Sequence, residues 1–125
     1  MTENELSRVI VDSAYRIHTT LGPGLLESVY ESVFAHELKK RGCQVWVQRA
    51  IPVIYDEVKL DLGFRADIIV NNKVVIEVKS VESISPVHAK QLRTYLRLMD
   101  LKLGLLINFN VNLIKDGITR VVNNL

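Results

Sequence analysis

A single cysteine, Cys43, stands in this chain of 125 residues. No internal disulfide can form, and a reduced, cytoplasmic setting is expected. No apolar run approaches the roughly 20 residues that a helix needs to cross a bilayer, so no membrane partner is expected. The polar start Met1-Thr2-Glu3-Asn4-Glu5 lacks the basic and apolar blocks of a secretory signal. Neither sign of charge is in clear excess: sixteen Lys and Arg against fourteen Asp and Glu give a net charge of +2. That balance argues against coating nucleic acid by charge alone. It leaves room for a metal-dependent enzyme, because acidic ligands lower the net charge while their ion restores a positive field locally. Repeats and low-complexity segments are absent. So are zinc-ligand spacings, a Gly-rich phosphate loop and a Ser/His/Asp pattern.

What is present is ordinary for a globular chain: 48% of residues are hydrophobic and 24% charged, a balance that excludes disorder. The length suits one domain with one core, spanning residues 1–125. Thr2 and Glu5 form a capping box for a helix over Glu3 to Leu21, whose inner face is Leu6, Val9, Ile10, Ala14, Ile17 and Leu21. Gly22-Pro23-Gly24 ends it. A second helix is expected from Leu25 to Arg41, with Leu26, Val29, Tyr30, Val33, Phe34 and Leu38 inward and Gly42 as its C-terminal cap. The period then drops to two. Cys43 to Gln48 reads as a half-exposed strand, and Ile51 to Tyr55 as an edge strand or strand start because of Pro52. Asp56-Glu57 turns the chain into Val58 to Leu62. Phe64 to Val70 and Lys73 to Ser80 are the most apolar strands, joined by a two-residue Asn71-Asn72 hairpin. Ser85 and Pro86 start a third helix that runs to Met99 and buries Val87, Leu92, Tyr95, Leu96 and Met99. Strands at Leu103 to Phe109 and Ile118 to Val122 close the chain. The class is α/β, in the order ααβββββαββ, with a β-meander in the middle.

The chemistry concentrates on the two apolar strands, each of which carries charge in its middle. A buried unpaired charge is costly, so these groups need partners or an ion. Side chains alternate along a strand, which puts Glu77 and Lys79 on one face and Arg65 and Asp67 on one face of the neighbour. A tight hairpin sets Asp67 beside Glu77. Two carboxylates and the carbonyl of Val78 suit an oxygen-seeking ion such as Mg²⁺, with Mn²⁺ as the alternative. Such an ion polarises a phosphodiester and acidifies water, and Lys79 can orient that water, take its proton or stabilise the phosphate. The competing reading is a buried Asp–Arg or Glu–Lys pair that ties two strands together. For any one residue that reading wins; the three together favour a metal site.

Asp67 followed by Glu77-Val78-Lys79 resembles the Asp…(Asp/Glu)-x-Lys signature of the PD-(D/E)XK nucleases. Gly24-Leu25-Leu26-Glu27-Ser28-Val29-Tyr30 resembles the element that names the GxxExxY proteins, a branch similar to those nucleases. Phe64-Arg65-Ala66-Asp67, Gln91 to Leu96 and Leu106-Ile107-Asn108-Phe109 look like the same branch. The resemblance spans nearly the whole chain; Ala66 stands where the proline of the superfamily name would be. It implies a mixed central sheet flanked by helices and a Mg²⁺-dependent nuclease acting on DNA or RNA. It also implies that Glu27 joins the site as a further carboxylate. The residues alone leave Glu27 open, since an acid in a first helical turn is also favoured by free N–H groups and the helix dipole. Gln91-x-x-x-Tyr95 resembles an element of RecB-like exonucleases, which implies that Gln91 bonds a phosphate or water and Tyr95 packs beside it; a surface Gln next to a core Tyr is the alternative.

Tyr30 and Arg65 complete the candidate substrate contacts, though Arg65 equally suits neutralising Asp67. His18 reads as a capped or partly buried histidine, His88 as an exposed one and Cys43 as inert packing. Trp46 fits a core or interface ring, and with the apolar strands it permits a homodimer. Two rivals remain beside the nuclease: a binding or regulatory module that keeps the fold without turnover, and a phosphodiesterase for a small nucleotide.

Overall fold

Alternating apolar residues in the strands and a 3.6-residue period in the helices sort the hydrophobic side chains onto facing surfaces. In a computed structural model that describes all 125 residues, these surfaces form two layers on one sheet. The elements are α1 (Glu3–Leu21), α2 (Glu27–Lys40), β1 (Val45–Ala50), β2 (Val53–Tyr55), β3 (Val58–Leu60), β4 (Arg65–Val70), β5 (Val74–Lys79), α3 (Pro86–Met99), β6 (Leu103–Asn108) and β7 (Ile118–Val122). A 3-10 turn over Ile114–Gly117, which the pattern does not signal, leads into β7.

The central sheet has the order β1-β4-β5-β6-β7. β5 and β6 are parallel, joined across the sheet by α3, and the other neighbours are antiparallel. The sheet is therefore mixed and flanked by helices, as expected. Ile68, Val70, Val74, Ile76 and Val78, with Leu103, Leu105 and Ile107, pack beneath Leu6, Ile10, Ala14, Tyr30, Phe34 and Leu38 of α1 and α2. Ile69, Val75, Leu106 and Val121 pack beneath Leu92, Tyr95 and Leu96 of α3.

The expected meander is corrected. β1 pairs with β4, and its ladder continues one step further through the Ile51 N–H and the Phe64 carbonyl, 2.9 Å apart. Pro52 has no N–H to extend it, and the chain leaves the sheet. β2 and β3 form a separate ribbon around Asp56 and Glu57, both at positive φ, before β4 returns to the same register. The β4–β5 connection has three residues, since Val70 pairs with Val74 and Lys73 lies in the turn. The second helix begins at Glu27, so Leu26 falls outside it and is 72% exposed; Ala35, not Val29, completes its buried face. Val87 is also exposed, because the first turn of α3 stands off the sheet.

Candidate functional site

The site forms where β4 and β5 part. Their backbone pairing ends at Ile68 and Ile76, one step short of the pair that would set Asp67 against Glu77. Carboxylates replace the missing ladder bonds. Glu77 Oε2 accepts the Asp67 N–H at 3.1 Å, and Asp67 Oδ2 accepts the Val78 N–H at 2.8 Å. The alternation of β4 also shifts here: Ala66 joins the α3 layer, while Ile68, two residues on, joins the other. The residue of β1 opposite this break is Gln48, at φ 53°.

Gln48 was not a candidate in the sequence, yet its side chain is central. Its Nε2 donates to Asp67 Oδ1 at 3.1 Å and to both carboxylate oxygens of Glu31, at 3.1 and 2.9 Å. Glu31 sits one helical turn beyond Glu27 on α2. That i,i+4 spacing of two acids beside the buried Tyr30 was the one available signal for it. Glu27 reaches the same end of the sheet from the start of α2, where its Oε2 accepts the Ser80 N–H at 3.1 Å, directly after Lys79. From the other side, Asn108 closes that loop. Its amide donates to the Val81 carbonyl at 2.9 Å, and its Oδ1 accepts the Val81 N–H at 3.1 Å.

The four acids have no basic partner at contact distance. The ion pairs of the chain are Arg16–Glu37, Arg41–Glu37 and Arg65–Asp61. Glu77 is only 8% exposed, and its carboxyl is pushed up to about 9, by burial first and then by the charge of Asp67. The Asp67 N–H and the more distant Lys79 offset this only in part. Burial also raises the Glu31 carboxyl, helped by the charges of Asp67 and Glu27 and opposed by the Gln48 amide. Lys79 is half-buried and makes no hydrogen bond or ion pair through its ammonium. Tyr95 is pushed up by burial and by the charges of Glu77 and Asp67, which places its ring in their field.

These residues fit a cation by donor chemistry. Asp67 and Glu77 are adjacent hard oxygen donors, one of them buried and uncompensated, and a divalent ion would offset both the burial and the Asp67 charge that raise the Glu77 carboxyl. The acids run as a chain and not as a closed cage, since no three of them converge on one point. The adjacent pair is therefore the core of the fit.

Other candidates fall elsewhere. Arg65 pairs with Asp61 at 3.2 Å, not with Asp67. Tyr30 is 0% exposed and has no surface to offer a substrate. Its hydroxyl bonds the Gly22 carbonyl and the Leu25 N–H, and its ring stacks on Phe109 at 4.4 Å, so it shapes the loop that delivers Glu27. Gln91 is exposed on α3 without a hydrogen bond, while Tyr95 lies in the core beside Phe64. His88 caps α3 by accepting the Ser85 N–H. His18 is buried, with Nε2 at 2.8 Å from the Val111 carbonyl. Cys43 is buried, which raises its thiol and leaves it a poor nucleophile. No helix is long and apolar enough to cross a membrane.

Comparison with known proteins agrees with this geometry. The family model of the PD-(D/E)XK nuclease superfamily matches residues 4–121, a span that includes every residue of the acidic chain and Lys79. No curated protein and no solved structure matches the chain. Nucleases of that superfamily generally use divalent metals, in keeping with the paired oxygen donors of β4 and β5. On a match that covers nearly all of its length, the chain belongs to the PD-(D/E)XK nuclease superfamily.

Proposed function

We propose that this single domain is a Mg²⁺-dependent nuclease that hydrolyses phosphodiester bonds of DNA or RNA, with Mn²⁺ able to replace Mg²⁺. Within the superfamily we place it in the GxxExxY branch, on Gly24, Glu27 and Tyr30. The observation that carries the reading is the pair Asp67–Glu77 between parted strands, with Glu77 buried, Asp67 half-buried and neither paired with a base.

Asp67, Glu77 and the Val78 carbonyl would hold the ion, with Glu27 at the rim. The bound ion supplies Lewis acidity toward a phosphate oxygen and acidifies water. The chain's own groups do the rest. Glu77 would bind the ion as the carboxylate, its proton passing to solvent. Lys79, free of any acid, steadies negative charge on the phosphate or takes the proton of the attacking water. Glu31 adds negative charge beside Asp67, and Gln48 fixes where that carboxylate points. Tyr95 and Phe64 form an apolar wall near the acids, and Gln91, exposed one turn before Tyr95, would be a neutral phosphate contact on that flank of α3.

A polymer suits the site better than a small nucleotide. The cavities of this protein measure from about 180 to about 530 Å³, and none is lined by Asp67, Glu77 or Lys79. Small-molecule sites are concave and enclosing, whereas an open site admits a chain that continues past it. The lone buried thiol suits a reducing cytoplasm, and the exposed apolar residues of β2 and β3 permit a homodimer. Incubation of single-stranded DNA, duplex DNA, RNA and nucleotides with Mg²⁺, Mn²⁺ or EDTA tests the reading. Cleavage of a polynucleotide that EDTA stops supports it. Turnover of nucleotides alone favours the small phosphodiesterase, and no turnover with any ion favours the non-catalytic module.

A further inference from the structure

A second feature of the surface lies outside the acidic chain. A cleft of about 300 Å³ opens between α3 and the edge strand β7, lined by Ala89, Lys90, Arg93, Thr119, Arg120, Val121 and Val122. Lys90 and Arg93 supply its cations, and none of its residues is an acid. Lys90 and Arg93 are exposed and make no ion pair or side-chain hydrogen bond. Arg120 turns its guanidinium to the opposite face of the sheet, where it bonds Asn4 at 2.6 Å and Ser7 at 3.5 Å on α1, so the charge of the cleft comes from Lys90 and Arg93. Arg97 extends the row, since Lys90, Arg93 and Arg97 share one face of α3 at spacings of three and four residues. Uncompensated cations on an otherwise balanced surface concentrate positive potential at this cleft.

The sheet register fixes where the cleft lies. Glu77 pairs with Leu106, and Leu106 with Thr119. Alternation puts Glu77, Leu106 and Thr119 on the α3 side, with Leu106 and Val121 in the layer that α3 covers. The cleft therefore begins in the same row as Glu77, two strands away, or about 10 Å at the usual strand spacing. α3 stands between them, with the acids and Tyr95 on one flank and the basic cleft on the other. A chain crossing the N-terminal end of α3 touches both. Phosphates of one nucleic-acid strand follow each other at about 3.4 Å of rise in a duplex, so the cleft lies a few nucleotides from the acids.

We propose that the cleft between α3 and β7 binds the phosphodiester backbone of a polynucleotide, through Lys90 and Arg93, a few nucleotides from the bond that the Asp67–Glu77 site cuts. The proposal rests on the nuclease reading for what lies at the acidic end. The cleft carries charge and one hydroxyl, so it grips backbone and does not read bases. It gives the site a preference for longer strands.

The test measures binding of labelled single-stranded DNA, single-stranded RNA and duplex DNA, each short and long, in EDTA across a salt series. The chains are wild type, the double variant K90A/R93A, and a control, K39A/K40A, that removes two exposed cations at the end of α2. Neither pair has a side-chain bond to lose. For K90A/R93A the slope of log affinity against log salt should become shallower by roughly 2, one per phosphate contact, with the loss falling on long strands. The control should keep the wild-type slope. An unchanged slope in K90A/R93A, or equal changes in both variants, overturns the cleft. Metal-dependent cleavage by wild type, assayed in parallel, separates the two readings. Cleavage with an unchanged K90A/R93A slope leaves the nuclease standing without the cleft. Cleft-dependent binding with no cleavage under any ion does the reverse, and a wild type that neither binds nor cuts ends both.

Discussion

Asp67 and Glu77 hold each other's strands: Glu77 accepts the N–H of Asp67, and Asp67 accepts the N–H of Val78, next to Glu77. Each acid is thus both a candidate ligand and a structural acceptor. Truncating Glu77 to Ala strands a buried N–H, so Glu77→Gln is the cleaner probe of chemistry. It should abolish metal-dependent cleavage while the folded fraction, read by circular dichroism, stays at wild-type level. Glu77→Ala should lose the same activity and also about 1–3 kcal/mol of stability. Cleavage that survives Glu77→Gln would remove Glu77 from the mechanism.

Lys79→Ala separates binding from turnover. The ammonium touches no acid, so metal affinity by calorimetry should match wild type. Single-turnover cleavage should fall by roughly 10²–10⁴-fold, the usual range for a lost proton-transfer or charge-stabilising group. A fall in metal affinity equal to the fall in rate would assign Lys79 to the ion's surroundings instead.

Stability without metal should depend on pH through Glu77. Its carboxyl lies at about 9 in the fold against an ordinary 4.5, raised by burial and by Asp67. A folded value above the unfolded one means that the native state holds the proton more tightly. The stabilisation is complete below about 4.5 and is lost as pH rises toward 9. Thermal melts in EDTA should fall across that window, and Glu77→Gln should flatten the fall. Added Mg²⁺ should stabilise most at the alkaline end, where no proton competes. Melts of equal pH dependence in both chains would place Glu77 in a wetter setting than the fold gives it.

The Gln48 amide acts as a neutral spacer between Asp67 and Glu31. Gln48→Ala removes it and leaves two acids facing each other, so the ion-free protein should melt lower. Metal affinity should rise severalfold, because an ion then relieves more repulsion. Gln48→Gly, which suits the 53° φ angle better, should give the same gain in affinity with less loss of stability. Titration of both variants with Mn²⁺ reads the effect; unchanged affinity in both would detach Gln48 and Glu31 from the site.

Gly104 of β6 lies under α3, and a Cβ built there meets three Leu92 side-chain atoms at 2.9 to 3.0 Å. Gly104→Ala should cost about 1–3 kcal/mol by overpacking. The paired change Gly104→Ala with Leu92→Val should recover part of that loss in denaturant melts. No recovery would mean that the strand, not Leu92, absorbs the strain.

The β4–β5 hairpin and its acids were legible because the signal is local: two alternating strands, a turn with two asparagines and charges in apolar settings. The bounds of α1 were legible for the same reason, since Thr2 and Glu5 cap each other within one turn. What the chain brings together over long separations was not. Gln48 looked like the polar side of an exposed strand, and its role depends on α2 crossing over β1. The Leu26–Val29 stripe misled because a helix starting at Glu27 turns those residues outward. The departure at Pro52 was signalled, but not that the chain would return to the same ladder thirteen residues after Ile51, at Phe64. Family membership rests on the match over residues 4–121, and the pairing of Asp67 with Glu77 on their two reciprocal contacts across β4 and β5.

Because side chains, not carbonyls, satisfy the Asp67 and Val78 amides, these two protons belong to the site and not to the sheet. Their neighbours at Ile68, Ile69 and Val70 lie in paired strand on both sides. An ion that draws the carboxylates toward itself uncovers two amides and leaves the surrounding ladder shut. Deuterium uptake should therefore quicken at Asp67 and Val78 alone when the site fills, so that the backbone itself reports occupancy without a substrate, a label or a measurable turnover.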